Sequence, residues 1–135
     1  MKDKDILNRL FVENNLTNED VFKHQHYTII TRSGIEKIQA NLEIYCAYEV
    51  IKCEPNFAVV KATAEITKDG YEKFIQTFGS ALKGKSYTDG NTNSWYVIEM
   101  AEKRAMSRAV LKLAGFYELG VFSEDESEQF KRSNN

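Results

Sequence analysis

Apolar residues fall at helical spacing at the start of the chain, at every second position through the middle, and at helical spacing again near the end. From Lys4 to Glu13, Ile6, Leu7, Leu10 and Phe11 share one helical face, which predicts a short N-terminal helix. Thr17 or Asn18 caps a further turn through Asp20 and Val21. His26–Thr31 is β-branched and predicts a short strand. Ser33-Gly34-Ile35-Glu36 then has the spacing of a capping box, with Ile35, Ile38 and Leu42 on one face of the helix that follows. From Glu43 the period changes to two. Glu43–Glu54 and Asn56–Thr67 are strand candidates joined at Pro55-Asn56, and Ala58, Val60, Ala62 and Ala64 form the apolar side of the second. Lys68-Asp69-Gly70 is a hairpin turn, and Tyr71–Phe78 is the third strand. Gly79–Asn93 reads as a loop of Gly, Ser, Lys and Asn. A helix follows from about Ser94 to Ala114, with Gly115 as its C-cap.

This pattern predicts an α+β domain. An antiparallel three- to four-stranded β-meander carries a long C-terminal helix packed across it, after short N-terminal helices. With 135 residues, one domain is expected over 1–122, followed by an acidic, disordered tail over 123–135. Cys46 and Cys53 lie in strand-like stretches and read as small apolar fillers. No stretch approaches the roughly 20 apolar residues of a membrane span, and the charged N-terminus is unlike a signal peptide. A cytoplasmic protein without a membrane partner is the expectation.

The net charge is −2, which argues against coating of duplex DNA by bulk positive charge. Its distribution is uneven. Between Gly79 and Phe116, Lys83, Lys85, Lys103, Arg104, Arg108 and Lys112 outnumber Asp89, Glu99 and Glu102. Beyond them come Glu118, Glu124, Asp125, Glu126 and Glu128. Within the long helix, Ala101, Ala105 and Ala109 recur every four residues and allow close approach to a sheet. Arg104, Arg108 and Lys112 recur at the same interval on a neighbouring face, with Lys103 alongside. A row of cations rising about 6 Å per step suits the phosphates of an extended single strand. The plainer alternative is a solvated face in which Glu99 pairs with Lys103.

The order of helix, meander, glycine-ended segment and then Ala101-Glu102-Lys103-Arg104-Ala105 through Arg108-Ala109-Val110 resembles the Rad-fifty-two-type single-strand annealing proteins. The resemblance covers about Thr31–Gly115, with Gly79-Ser80 matching the short segment after the meander. The chain also resembles proteins of Bacteroides-type genomes and of their phages. The resemblance implies a homo-oligomer that binds single-stranded DNA between sheet and helix and anneals strands without ATP. On that reading Arg104, Arg108, Lys112 and Lys103 neutralise phosphate, and the loop with Lys83, Lys85 and Tyr87 closes over the strand.

Trp95 and Tyr96 add aromatic surface suited to base stacking, or else belong to the core. Arg32 opens a helix whose N-terminus suits a phosphate. His24 and His26 lack a third ligand nearby, so no metal and no cofactor are expected. No phosphate-cradling loop, dinucleotide glycine pattern or nucleophile elbow is present, and a non-enzyme is expected. The competing readings are a protein-interaction module that docks a partner through its acidic tail and the apolar Tyr117–Phe122 segment, and a small hydrolase or nuclease whose groups carry no sequence motif.

Overall fold

The computed structural model describes residues 3–67, 72–84, 90–92 and 95–126. Their elements are α1 (Asp3–Glu13), β1 (Val21–His24), β2 (Tyr27–Ile30), α2 (Arg32–Leu42), β3 (Ile44–Glu54), β4 (Phe57–Ile66), β5 (Lys73–Leu82), α3 (Val97–Ala114) and β6 (Val121–Ser123). The architecture is α+β, with two three-stranded sheets. In one, β3, β4 and β5 form the antiparallel meander in that order, with an irregularity at Ile51. In the other, β2 lies between antiparallel β1 and parallel β6. The strand β1 and the parallel return of the chain at Val121–Ser123 carry no clear alternation in the sequence, being three or four residues long.

Period-two alternation puts Ala58, Val60, Ala62 and Ala64 under α3, and all are buried. Against them lie Ala101, Ala105 and Ala109, also buried. The two surfaces approach so closely that a Cβ on Gly79 would stand 2.2 Å from the Ala101 carbonyl oxygen and 2.4 Å from the Ala105 nitrogen. Gly79 is thus a seat for the helix backbone, inside β5 and not at a loop start. Strand β5 runs four residues past Phe78, and the expected fifteen-residue loop is correspondingly shorter. The hydroxyl of Thr77 donates to the Ala105 carbonyl at 2.6 Å, which satisfies a buried polar group at the same contact. A second core joins α2, β2, β6 and the C-terminal half of α3 through Ile30, Ile35, Ile38, Leu111 and Phe116. Helix α3 ends at Gly115, whose φ of 87° is readily adopted only without a Cβ.

Two local expectations are corrected. Helix α2 is capped by Thr31, whose hydroxyl accepts the Gly34 N–H, and not by a Ser33–Glu36 box. Ser33 donates instead to Asp20 at 2.8 Å. The domain boundary at Phe122 also falls inside the fold, because Ser123, Asp125 and Glu126 are buried. Residues 127–135 and the Lys68-Asp69-Gly70 turn lie outside the described residues. Among the described residues, no helix is long and apolar enough to cross a membrane.

Candidate nucleic-acid interface

Because Gly79 lets α3 settle on β5, a side chain at position 104 points across the outer edge of that strand. Arg104 is 1% exposed. Its Nε donates to the Asp125 carbonyl at 3.1 Å, and its two terminal nitrogens donate to the carbonyls of Ser80 and Asn91, each at 2.9 Å. A guanidinium carries donors in a fan, which is what three diverging carbonyls need. One turn on, Arg108 donates to the Phe78 carbonyl at 2.9 Å and to the Glu126 carboxylate at 3.0 Å. The arginines therefore close the hydrogen-bonding edge of β5. Asn91 completes the closure, its side chain bonding Leu82 N–H and Ser80 carbonyl.

Arg32 occupies the first turn of α2, and its guanidinium meets Asp125 at 3.0 Å. Its backbone N–H donates to a Glu124 carboxylate oxygen at 2.8 Å. The helix N-terminus expected to hold a phosphate thus holds a carboxylate of its own chain. The tripeptide Glu124-Asp125-Glu126 gathers Arg32, Arg104 and Arg108 from two helices. The solvent-facing row of cations expected on α3 is corrected accordingly: Arg104 and Arg108 are tied down by carbonyls and a carboxylate. Spacing alone did not reveal this. The signal in the sequence was the acidic run directly after Val121-Phe122, read as a tail.

The lysines differ. Lys112 lies with its ammonium 5.0 Å from the Tyr117 ring centroid, and Lys103 lies 6.0 Å from that of Tyr96. Lys83 is exposed at the end of β5 and pairs through its backbone with Thr92. Lys85 and Tyr87 lie outside the described residues. Trp95, three residues past Thr92, is 75% exposed and meets Tyr96 edge to face at 5.6 Å. It is therefore not a core residue. Trp95, Tyr96 and Lys103 make one aromatic and cationic group at the start of α3.

The space between α3 and β3 is not basic. Tyr48 lies within electrostatic reach of Glu102, and although the residue is partly exposed, desolvation of its phenol, helped by Cys46 and Glu102, pushes it above the usual range. Burial also pushes the Cys46 thiol up, which makes it an unreactive filler. The opposite face of the meander is uncovered. Phe74, Phe78 and Leu82 stand exposed there with Tyr45, while Lys61 pairs with Glu49 and Lys52 with Glu54. The described residues hold no cluster of three metal-ligating side chains. No family model matches the chain, and neither the curated proteins nor the solved structures yield a match.

Proposed function

We propose that the protein binds single-stranded DNA without catalysing a reaction, and that the contact is the aromatic and cationic group at the start of α3. The observation that carries this reading is an indole left 75% exposed and braced edge to face by Tyr96, whose own ring lies under the Lys103 ammonium. Bases stack on such rings whatever their sequence, at about 1–3 kcal/mol per base. Lys103, beside Tyr96, and the exposed Lys83 at the end of β5 supply phosphate contacts. The arginines act through the fold, since they hold β5, α3 and α2 together.

The test is a titration of fluorescent oligothymidylate at several salt concentrations. Trp95→Ala is expected to weaken binding at least tenfold with an unchanged melting temperature. Two or three phosphate contacts predict a salt slope of about −1.4 to −2, shallower than a full row of helix cations would give. Unaltered affinity in Trp95→Ala would remove the reading. A second reading, docking of a protein on the open face of the meander, is favoured by its exposed Phe74 and Phe78 and its pairwise-neutralised charges. In that case Phe74→Ser with Phe78→Ser abolishes partner capture and leaves oligothymidylate binding unchanged.

A further inference from the structure

The two edges of the meander are treated oppositely. On β5 the carbonyls of Phe78 and Ser80 are taken by Arg108 and Arg104, and both backbone groups of Leu82 are taken by the 91–92 segment. On β3, the other edge, nothing comparable is present among the described residues. Only the Ile44 carbonyl is met, by Gln39 at 3.4 Å. The register fixes which groups are left. Phe78 turns its backbone groups away from β4, so its neighbour Lys61 turns its own toward β3 and pairs with Glu49. By alternation, Cys46, Tyr48 and Val50 direct their N–H and C=O groups outward. The side chains along this edge are unusually apolar for an open strand: Tyr45 is 66% exposed, Tyr48 42%, Val50 56% and Ile51 48%. Before the turn at Pro55 the strand carries no proline, and its one irregularity, at Ile51, leaves Ile44–Val50 as a regular open edge.

We infer that β3 pairs antiparallel with β3 of a second copy, about a two-fold axis at Tyr48, to form a continuous six-stranded sheet. A sealed β5 cannot accept a neighbour's β3, so head-to-tail growth into a ring or filament by this route is blocked and the closed pair remains. The register follows from side chains. With Tyr48 opposite itself, Cys46 meets the second copy's Val50 and Glu49 meets its Ala47, and Tyr45 comes beside its Ile51, the residue at which the regular ladder of β3 ends. All four exposed apolar residues are then covered and no like charges face each other. A shift that puts the axis at Glu49 would set two carboxylates opposite one another. This inference stands apart from the nucleic-acid reading, because Trp95 is not on β3.

The test is sedimentation equilibrium up to a few hundred micromolar, joined to cross-linking. The wild-type chain is expected to dimerise. Tyr45→Glu and Ile51→Lys should each weaken the dimer at least tenfold, and the double variant should restore it, since each new carboxylate then meets the other copy's new ammonium. These side chains are exposed, so an unchanged melting temperature is the folding control. In a Cys46→Ala, Cys53→Ser background, Tyr48→Cys should oxidise to a disulfide dimer, because Cα atoms of a hydrogen-bonded pair lie about 5.5 Å apart. Val50→Cys, four residues from its mate across the axis, should not. A wild-type chain that stays monomeric overturns the inference. So does a dimer in which Val50→Cys cross-links as readily as Tyr48→Cys.

Discussion

A single buried carboxylate shows how much a side chain contributes when both of its oxygens are engaged. Asp20 is 3% exposed and accepts from the Lys37 ammonium at 2.7 Å, the Ser33 hydroxyl at 2.8 Å and the Thr17 N–H at 2.9 Å. The Lys37 contact is the largest cause holding its carboxyl far below the usual carboxylate range, against the opposing effect of burial. The group ties the turn after α1 to the start of α2. Its folded pKa is depressed, so its stabilisation is fully present above the unfolded value of about 4 and is lost as pH falls below it. Denaturant titrations between pH 7 and pH 2 should therefore show stability declining below about pH 4. Asp20→Asn should cost about 1–3 kcal/mol at pH 7 and flatten that decline. An equally steep decline in the variant would mean that other carboxylates govern acid unfolding. Lys37 is partly exposed, so the ion pair itself contributes less than its short distance implies.

At the scale of elements, the contact between α3 and the meander is decided by size. Ala101 and Ala105 are buried, and Gly79 sits opposite them with no room for one more carbon. Gly79→Ala should push the helix off the sheet and cost about 1–3 kcal/mol, read as a lower melting temperature with an unchanged far-ultraviolet spectrum. Gly34 is tight in a similar way: its Cβ would stand 2.5 Å from Cγ2 of the fully buried Ile30, a β-branched methyl with little freedom to move, so Gly34→Ala should also be destabilising. This contact was half legible in the sequence. The every-fourth alanines announced a helix meant to lie close to something, and the alternating Ala58–Ala64 face announced the surface. Long elements with one clear period were readable because one face of each must leave water. In the sequence Gly79 reads as a loop start, because a glycine in a strand and a glycine in a turn look alike until the partner is known. The Arg104 and Arg108 pair was misread for a deeper reason. An arginine reaching across a strand edge and one reaching into solvent occupy the same helical position. Only long-range packing distinguishes them, here through carbonyls more than twenty residues away.

For the whole molecule, Glu124-Asp125-Glu126 ties α2 to α3 after β6 returns beside β2, and Arg104 and Arg108 reach from α3 onto the edge of β5. Asp125 touches both helices: its carboxylate meets Arg32 and the buried Ser107 hydroxyl, and its carbonyl receives Arg104. Removing that carboxylate strands a buried hydroxyl and leaves a guanidinium without its counter-charge. Breaking a fully buried pair costs about 3–5 kcal/mol, and the partial exposure of Arg32 reduces this. Asp125→Ala should thus cost about 2–3 kcal/mol in chemical denaturation. Glu124→Ala, at an exposed position whose carboxylate accepts the Arg32 backbone N–H, should cost less than Asp125→Ala. Salt separates this role from an ordinary surface cluster. Screening acts weakly on buried groups, so the Asp125→Ala penalty should be nearly the same at low and high ionic strength. A penalty that vanished in high salt would make the Asp125–Arg32 contact an ordinary exposed ion pair and leave the lock between the helices to the Arg104 and Arg108 contacts with carbonyls.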